Sequence, residues 1–389
     1  MPTLLILDAN QRSALAVIRS LGRLEEVNIY AADSTIEAIG GSSKYCQKYF
    51  SHPPLSESPQ AFIDWLRKIL IEESIDLVFP VTEKSSQLIL MHNESSDPVP
   101  VPFADYQTVM SLAHKGRLTK LAESAGVPCP ESIHYNSALD VDFDETRRFP
   151  VVIKPCLSRI WQGDHWIDTV VQIANNKDQL REIITSSPWL QTNEFMLQEF
   201  IPGFGAGLFA LYDQGSPVCF FSHKRIREKP PQGGVSVLST SIPLDPVLVD
   251  NAKKLLGAAK WHGVAMVEFR VADDGTPYLM EVNTRFWGSL QLSIDAGVNF
   301  PELLYRITFR ENLPESSPYK TGARLRWILG DLDSLYLVLK DPRYSWSEKL
   351  ARLLSFFTPH FFSTRHEVNR LDDIKPAITE LKQYIRDLK

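Results

Sequence analysis

The segment GVAMVEFRVADDGTPYLMEVNTRFWGS, residues 263–289, is the most informative part of the sequence. Two apolar runs flank the dipeptide Asp274-Gly275, which is typical of a tight hairpin turn. Alternating apolar residues on both sides predict two antiparallel strands. The segment therefore predicts a β-hairpin in which polar residues at chosen positions can meet across the two strands.

Four polar side chains of this hairpin are expected to come together. Glu281 and Asn283 are two residues apart and share a strand face. Arg285, two residues further on, is expected on the same side. Glu268 lies on the neighbouring strand, across the turn. Two carboxylates and an amide oxygen are hard ligands that suit Mg²⁺, and a guanidinium beside them suits phosphate oxygens. The hairpin therefore predicts a magnesium site made by Glu268, Glu281 and Asn283.

An ordinary surface hairpin is the alternative interpretation of these charges. In that case Glu268 and Glu281 would be solvated or paired with arginine. Both glutamates, however, lie within apolar runs, AMVEF and YLMEV, where an unpaired carboxylate is costly to bury. This context favours the metal site.

Two lysines lie upstream of the hairpin. Lys154 ends the apolar strand VVIKP, where an ammonium group can neutralise a phosphate as a compact charge. Lys115 lies in a predicted helix whose other lysines are solvent-facing, so its local sequence does not distinguish it from a surface lysine. The strand FMLQEFIPG ends abruptly at Pro202-Gly203, and backbone groups freed there could bind a planar heterocycle.

A cationic strand, FFSHKRIREK, precedes a Pro/Gly loop. Strand alternation predicts that His223, Arg225 and Arg227 share one face and that Lys224 lies on the other. Such a strand next to a Gly-Gly loop suits an anionic group held beneath a mobile flap. An edge strand protected by its charges is the alternative interpretation.

The first hundred residues alternate between buried strands and amphipathic helices. This pattern predicts βαβ units and hence a parallel, Rossmann-like α/β sheet, although the first strand–helix turn contains no glycine and does not fit a dinucleotide fold. A Pro/Ser/Asp-rich stretch follows. We therefore predict an αβ domain over residues 1–104, a two-lobed α+β body over 105–320 with a lid lobe at about 149–200, and a helical segment over 321–389.

Composition limits the range of functions. The chain has 389 residues, with 41 Lys and Arg against 47 Asp and Glu, and the net charge of −6 gives no general attraction to nucleic acid. Its four cysteines form no C-x-x-C pair, so neither a zinc knuckle nor a disulfide framework is expected. Without a leader-type N-terminus or a transmembrane segment, the expected location is the cytoplasm.

The last seventy residues contain two amphipathic stretches and a terminal helix. The favoured interpretation is a helical appendage that packs back on the body. The second stretch, which contains Leu353, Leu354, Phe356, Phe357, Phe361 and Phe362, is apolar enough to serve instead as a homo-oligomer or membrane-surface contact. Periodicity alone does not separate these interpretations.

In this order, the motifs resemble those of the ATP-grasp superfamily, in particular its carboxylate–amine ligase branch related to carbamoyl-phosphate synthase and biotin carboxylase. The resemblance covers most of the chain. It includes the glycine-poor αβ domain, the lysine after the linker, V-V-I-K-P, M-L-Q-E-F-I-P-G, the cationic strand with its Gly-Gly loop, and E-x(12)-E-V-N-T-R, which is the most specific of these elements.

The resemblance implies roles for individual residues. Lys115 and Lys154 would contact ATP phosphates, and the metal ligands Glu268, Glu281 and Asn283 would bind Mg²⁺, with Mn²⁺ as an alternative ion. Arg285 would support an acyl-phosphate. The adenine would be held between the lobes by Gln198, Glu199, Phe200 and Ile201. The acceptor substrate would face Arg225, Arg227 and Ser289.

Several positions depart from the family pattern. The loop after Lys154 contains one glycine where relatives have a glycine-rich phosphate flap. Phe204-Gly205 replaces an acidic residue expected near the ribose, so the ribose contact is unassigned. His114 stands in place of an Asp before Lys115, and Thr284 in place of a Pro. None of these changes removes a metal ligand or the strand lysine.

The resemblance implies an ATP-dependent ligase that joins a small-molecule carboxylate to an amine through an acyl-phosphate and releases ADP and phosphate. An ATP-binding regulatory or scaffold protein without turnover is the alternative, motivated by the altered phosphate loop. A nicotinamide oxidoreductase is disfavoured because the glycine fingerprint is missing. A biotin-dependent carboxylase is disfavoured because the sequence has no biotinyl-lysine segment.

Overall fold

The computed structural model describes residues 1–93, 98–143, 147–163, 165–315, 317–357 and 364–388. Within these residues the chain forms a parallel sheet, a small antiparallel sheet, a large seven-stranded sheet and a two-stranded hairpin. Phe361 and Phe362, which belong to the predicted apolar stretch, lie outside the described residues.

The N-terminal part is a four-stranded parallel sheet with helices on its faces, as the alternating pattern predicts. Its strand order is β3-β2-β1-β4. The carboxylate of Asp8, at the end of the first strand, accepts hydrogen bonds from Val81 N, Thr82 N and the Ser85 hydroxyl. This carboxylate binds backbone donors beyond the end of β4, and the first strand–helix turn contains no glycine-rich phosphate loop. The elements are β1 (Thr3–Ile6), α1 (Arg12–Leu21), β2 (Asn28–Asp33), β3 (Lys48–Ser51), α2 (Pro59–Glu72), β4 (Leu77–Phe79) and α3 (Glu83–His92).

The predicted helix that contains Lys115 is two helices, α4 (Tyr106–Ala113) and α5 (Lys115–Ser124). They meet at His114, whose backbone is extended (φ −82°, ψ 107°) and whose Nδ1 accepts a hydrogen bond from Arg117 N at the start of α5. His114 is therefore both the C-cap of α4 and the N-cap of α5. The break places Lys115 at the first position of α5.

The small sheet forms one lobe of the body, with order β5-β10-β6-β9 and antiparallel pairing throughout. It begins at residue 132, whereas the lid lobe was predicted from about 149, because β5 pairs with β10 across a long sequence separation that local patterns do not reveal. A separate hairpin follows β6. The elements are β5 (Ser132–Tyr135), β6 (Val151–Pro155), β7 (Arg159–Trp161), β8 (Trp166–Asp168), β9 (Gln172–Ala174), α6 (Lys177–Ser186) and β10 (Phe195–Glu199).

The large sheet has the order β15-β14-β11-β12-β13-β16-β17 and is antiparallel except for the last pair. One face packs on the N-terminal domain through Phe209, Phe221 and Met266, and the other packs on α4, α5 and α7. The predicted hairpin is confirmed as β14 and β15. The elements are β11 (Phe204–Asp213), β12 (Ser216–Lys229), β13 (Val235–Ser241), α7 (Pro246–Ala258), β14 (Gly263–Val271), β15 (Pro277–Asn283), α8 (Leu290–Ala296) and α9 (Phe300–Thr308).

The C-terminal segment contains the three predicted helices and also supplies two strands to the large sheet. These are β16 (Arg324–Arg326), α10 (Ile328–Lys340), α11 (Trp346–Phe357), β17 (Thr364–His366) and α12 (Lys375–Asp387). The segment is tied back to the N-terminal domain by Arg19, a fully buried side chain that donates to Asp373 at 2.9 Å and to the Glu367 and Val368 carbonyls. No helix in the described ranges is both long and apolar enough to cross a bilayer.

Candidate active site

The two glutamates of the β14–β15 hairpin face each other, as the sequence predicts. Glu268 and Glu281 are direct partners across the strands, and the pairing becomes irregular immediately after Glu268. The Asn283 amide lies between them, because its Nδ2 is 3.2 Å from Glu268 Oε1 and 3.3 Å from Glu281 Oε1. Strand alternation and cross-strand register are therefore sufficient to bring this trio together.

Both predicted phosphate-binding lysines reach the same cluster. Lys115 Nζ is 3.5 Å from Glu281 Oε2 and 3.3 Å from the Ser158 hydroxyl. Lys154 extends from the small sheet, and its Nζ lies 3.5 Å from the Met280 sulfur on β15. Both lysines are buried. The two lobes thus bring their cations to one pair of carboxylates.

The charges of the cluster shift its ionisation. Burial, and then the neighbouring Glu281, raise the pKa of Glu268 to about 7. The pKa of Glu281 is lowered, because the attraction of Lys115 and Lys154 outweighs the opposing effect of its burial. Burial lowers the pKa of Lys154 to about 8. Opposite shifts in two adjacent carboxylates, within a cleft, are typical of functional sites.

These residues fit a divalent cation. The two carboxylates and the side-chain amide of Asn283 offer hard oxygen ligands. Two carboxylates this close also disfavour joint ionisation unless a cation lies between them. An amide N–H group of Asn283 now takes that place between the carboxylates. Glu268, Glu281 and Asn283 would therefore hold Mg²⁺, with the adjacent lysines and Arg285 directed to the phosphates of a nucleotide.

The pKa of Glu268 gives a testable dependence on pH. Because this pKa is raised above its unfolded value, its proton stabilises the folded state below pH 4.5, and that stabilisation is lost as the pH rises through 7. A bound cation must replace this proton. The carboxyl is mostly protonated below this pKa and mostly ionised above it. We expect Mg²⁺ with ADP to raise the thermal midpoint more at pH 8 than at pH 6, measured by differential scanning fluorimetry.

The Glu268→Gln variant is the control for this pH dependence. It removes the titrating group, so the stabilisation by Mg²⁺ and ADP should become nearly equal at the two pH values. An unchanged difference between pH 6 and pH 8 in this variant would assign the titration to another group.

Arg285 and Arg225 both lie at the edge of the cluster. Arg285 Nη2 is 3.3 Å from Asn283 Oδ1, and its Nη1 donates to the Phe286 carbonyl at 2.9 Å. Arg225 Nη2 is 3.4 Å from Glu268 Oε1. Both guanidinium groups are thereby positioned beside the predicted metal ligands. Within the described residues, no hydrogen bond or ion pair ties the half-buried Ser289 side chain to this cluster.

Arg227 departs from the expected arrangement. The β12–β13 pairing is irregular between Arg225 and Arg227, and this interruption breaks the alternation of side chains. Arg227 contacts the C-terminal helices instead: its Nη1 is 2.8 Å from the buried Asp331, and its Nη2 donates to the Ser355 carbonyl. The prediction that Arg225 and Arg227 share one face is therefore wrong.

His223 differs from the prediction in its charge. Its side chain is buried against the ring of Phe209, with the ring centroids 4.7 Å apart, and burial lowers its pKa to about 3. A neutral imidazole contributes no positive charge toward an anionic substrate. The expected anion-binding strand is thus reduced to Arg225 on the side of the glutamates.

A pair of variants separates the roles of the two arginines. We expect Arg227→Ala to lower the thermal midpoint by roughly 2–6 °C, because it removes one of the cations around buried Asp331 at a cost of about 1–3 kcal/mol. The KM for ATP should stay unchanged. The matched Arg225→Ala variant should reduce ATP turnover with a smaller change in midpoint. Equal losses of turnover in both variants would contradict this assignment.

The predicted adenine hinge lies where the small sheet passes into the large one. Gln198 shares the cleft-facing side of the small sheet with Lys154, and its Nε2 donates to the Ser132 hydroxyl at 2.9 Å. The Ile201 carbonyl accepts from Arg270 Nε at 3.1 Å, whereas no hydrogen bond within the described residues occupies the Ile201 N–H. Glu199 is exposed and Phe200 half-buried. Within the described residues, the hinge therefore leaves the Ile201 N–H without a hydrogen-bond partner.

Gly203 is required at this crossing. Its φ is +133°, and a Cβ there would lie 2.0 Å from the Val271 carbonyl oxygen. A side chain at this position would push the hinge away from β14.

The glycine-poor loop after Lys154 forms the β7–β8 hairpin. Trp161 and Trp166 are in contact, with ring centroids 5.2 Å apart. The Asp168 carboxylate forms ion pairs with Arg159 at 2.8 Å and with Lys84 of the N-terminal domain at 3.5 Å. Trp166 also packs on the core of that domain. Strand pairing and aromatic contacts thus give this flap its shape in place of glycines.

Glu83, Ser158 and Met280 are site residues that the sequence did not indicate. Glu83 begins α3, just beyond the carboxyl end of β4, which is the edge of a parallel sheet where ligands bind. Its position after a strand end could have indicated, from the sequence, that Glu83 belongs to the site. The pocket beside the cluster is lined by Glu83, Ala113, Lys115, Ser158, Glu281, Val282, Asn283, Thr284 and Arg285.

Comparison with known proteins identifies the fold. A family model described as an ATP-grasp in the biosynthetic pathway with Ter operon matches residues 191–330, which include the hinge and the glutamate hairpin. The chain has the ATP-grasp fold. The predicted resemblance to that superfamily is therefore confirmed. No curated protein matches the sequence.

Solved ATP-grasp structures extend the likeness beyond the matched segment. An L-amino acid ligase from Bacillus licheniformis has a TM-score of 0.62 at 18% identity, over 80% of this chain and 74% of that one. An N5-carboxyaminoimidazole synthetase from Staphylococcus aureus has a TM-score of 0.63 at 14% identity, over 83% and 80%. A biotin carboxylase from Campylobacter jejuni has a TM-score of 0.63 at 15% identity, over 83% and 74%. Identities this low establish the shared ATP-grasp fold alone.

Proposed function

We propose that this ATP-grasp protein is an ATP-dependent ligase that joins a carboxylate to an amine and releases ADP and phosphate. The observation that carries the proposal is the cluster itself. Glu268 and Glu281 lie within hydrogen-bonding distance of Asn283, and Lys115 contacts Glu281, in the cleft between the two lobes. Cations and metal ligands gathered around one point suit phosphoryl transfer, which needs positioning and charge neutralisation.

The reaction begins at the γ-phosphorus of ATP. A substrate carboxylate oxygen bonds to it, and the bond to the oxygen that bridges to the β-phosphate breaks, giving an acyl-phosphate and ADP. Lys115 and Lys154 would neutralise phosphate oxygens. Mg²⁺, when bound by Glu268, Glu281 and Asn283, supplies further charge neutralisation. The guanidinium of Arg285 would stabilise charge on the transferring group.

The second step joins the amine. The ammonium form first gives up one proton to solvent; the neutral nitrogen then bonds to the acyl carbon, the bond from that carbon to the phosphate oxygen breaks so that phosphate leaves, and the nitrogen loses a second proton. Glu83, at the start of α3 in the N-terminal domain, lines the same pocket as Glu281 and Asn283. A carboxylate there would favour an amine substrate, which is cationic before reaction. This arrangement supports a site in which the carboxylate and the amine enter between the N-terminal domain and the ATP-binding lobes.

The test is ADP release by the purified chain with pooled carboxylates and amines, followed by mass measurement of any product. We expect ADP and phosphate when the correct carboxylate and amine are both present, together with a product lighter by one water than their sum. AMP and pyrophosphate as products would refute the acyl-phosphate mechanism.

A non-catalytic ATP-binding protein is the second candidate, favoured by the flap. The β7–β8 hairpin contains one glycine, and Asp168 anchors it to the N-terminal domain, unlike a flap that moves freely over phosphates. Tight ATP binding without turnover across the screen, and full biological activity of a Glu281→Ala variant, would favour this candidate over the ligase.

A further inference from the structure

His114 is the single residue between α4 and α5, and its imidazole contacts both the start of α5 and the residue before β10. Nδ1 accepts a hydrogen bond from Arg117 N at 3.3 Å, and Nε2 lies 3.2 Å from the Glu194 carboxylate. A neutral imidazole that accepts at Nδ1 carries its proton on Nε2 and can donate it to Glu194. One ring nitrogen therefore caps the helix that begins with Lys115, and the other contacts the small-sheet lobe.

Backbone hydrogen bonds close the same connection into a ring. Lys115 N donates to the Cys156 carbonyl at 2.8 Å, and Cys156 N donates to the Glu194 carbonyl at 3.2 Å. Cys156 directly follows β6, the strand that carries Lys154. We call the group made by His114, Lys115, Cys156 and Glu194 the α5 joint. It connects the first residue of α5, one of the two buried lysines, to the strand that carries the other.

The first turn of α5 lies directly against the small sheet. Gly116 has little space for a side chain, because a Cβ there would lie 3.2 Å from His114 Cε1 and 3.2 Å from Nδ1 of His134 on β5. The N–H groups of the first turn of a helix have no partners inside that helix. Those of Lys115 and Arg117 are both bound by the α5 joint. The start of α5 is therefore fixed on the sheet by hydrogen bonds as well as by packing.

We propose that His114 is a positioning residue that holds Lys115 in place relative to Lys154 through its contact with Glu194. The inference rests on the proposed function, in which both ammonium groups face the phosphates of one nucleotide. Lys115 directly follows His114, so a displacement of the ring moves the lysine. The Asp that the family resemblance leads one to expect at this position could cap α5 equally well. Its carboxylate would repel Glu194, however, whereas the imidazole N–H attracts it.

A metal ion is the other role that this group of side chains could serve. The ligand atoms of His114, Cys156 and Glu194 all lie within 4.8 Å of one another. The hydrogen bonds oppose a metal, because the Arg117 N–H occupies Nδ1 and the proton is then on Nε2. Burial raises the pKa of the Cys156 thiol to about 11, whereas a metal binds the thiolate. The geometry therefore favours a hydrogen-bonded joint.

Affinity for ADP with Mg²⁺, measured by isothermal titration calorimetry, tests the α5 joint without requiring turnover. His114→Asn keeps an oxygen that can cap α5 but is too short to contact Glu194. Glu194→Ala removes the same contact from the other side, at a side chain that is 60% exposed. Each variant should weaken nucleotide affinity roughly 2–10-fold, the effect of one lost hydrogen bond. The thermal midpoint should stay close to that of the wild type, and in turnover the KM for ATP should rise more than kcat falls.

Three further variants separate positioning from a general loss of structure. Glu194→Gln keeps an oxygen that accepts from the His114 ring, so it should retain most of the affinity that Glu194→Ala loses. Glu182→Ala is the matched control, because it removes an exposed carboxylate of α6, and it should leave the affinity unchanged. The double variant His114→Asn with Glu194→Ala should be no weaker than either single variant, because both substitutions remove the same contact.

Several results would overturn the α5 joint. They are wild-type affinity in both single variants, effects that multiply in the double variant, and a loss confined to the thermal midpoint. Stabilisation by Zn²⁺ of the wild type but not of Glu194→Ala would assign the group to a metal instead. If His114→Asn loses its fold, Glu194→Ala and Glu194→Gln decide the outcome.

Failure of the ligase function gives a different pattern. If no substrate pair releases ADP while the variants still weaken nucleotide binding, the ligase is refuted and the α5 joint is supported. If ADP is released by the wild type and the variants bind and turn over like it, the ligase stands and the α5 joint is overturned. A wild-type chain that binds no nucleotide would overturn both.

Discussion

Replacing Glu281 by Gln is expected to lower the rate of ADP release on the order of 10²–10³-fold. The substitution keeps the shape of the side chain but removes the negative charge that faces Lys115 at 3.5 Å. In the wild type, Lys115 and Lys154 lower the pKa of this carboxyl against the effect of its burial. Lys115 and Lys154 would then lose their shared counter-charge, and the metal site would lose a carboxylate. Steady-state ADP release at saturating substrates measures the effect.

The control for this prediction is Glu182→Gln, a change of the same kind at an exposed position of α6. It should leave ADP release unchanged. Partial recovery of the Glu281→Gln variant at high Mg²⁺ would show that the lost charge acts on metal affinity. A wild-type rate in that variant at low Mg²⁺ would contradict the assignment of Glu281.

Replacing Arg285 by Ala is expected to lower kcat on the order of 10²-fold with a smaller change in the KM for ATP. The guanidinium is held by the Phe286 carbonyl at 2.9 Å and by the amide oxygen of Asn283 at 3.3 Å. These contacts orient the group before any substrate arrives. A charge positioned in advance stabilises the transferring phosphoryl group mainly in the transition state, so its loss should appear in kcat.

Two variants calibrate the Arg285 result. Arg285→Lys keeps the charge without the paired N–H geometry and should fall between Ala and the wild type. Arg181→Ala removes an exposed arginine on α6 and should be silent. An effect of Arg285→Ala confined to the KM for ATP would assign the residue to nucleotide binding rather than to the acyl-phosphate.

The parts of the site that follow local rules could be predicted. Glu281 and Asn283 share a face because strands alternate, and Glu268 opposes Glu281 because the Asp274-Gly275 turn sets the register of the hairpin. The position of Lys154 at the end of an apolar strand could also be predicted from the sequence. Lys115 was assigned by family resemblance alone, because its approach to Glu281 depends on the break at His114.

The errors arise where a local pattern is interrupted by distant contacts. Alternation along β12 predicts one face for Arg225 and Arg227, but the irregular pairing with β13 turns Arg227 toward Asp331, a residue 104 positions later in the chain. The charge of His223 was misjudged for a related reason. Only packing against Phe209 shows that its ring is desolvated and neutral.

The sequence by itself determined the parallel N-terminal sheet, the glutamate hairpin, the C-terminal helices and the resemblance to the ATP-grasp superfamily. All of these depend on periodicity, turn residues or short motifs, which act over a few residues. The tertiary structure decided that Glu83 and Ser158 join the site, that the flap is a hairpin, and that Arg227 contacts Asp331. These features depend on which surfaces meet after the chain folds, and burial and long-range contacts are not encoded in local spacing.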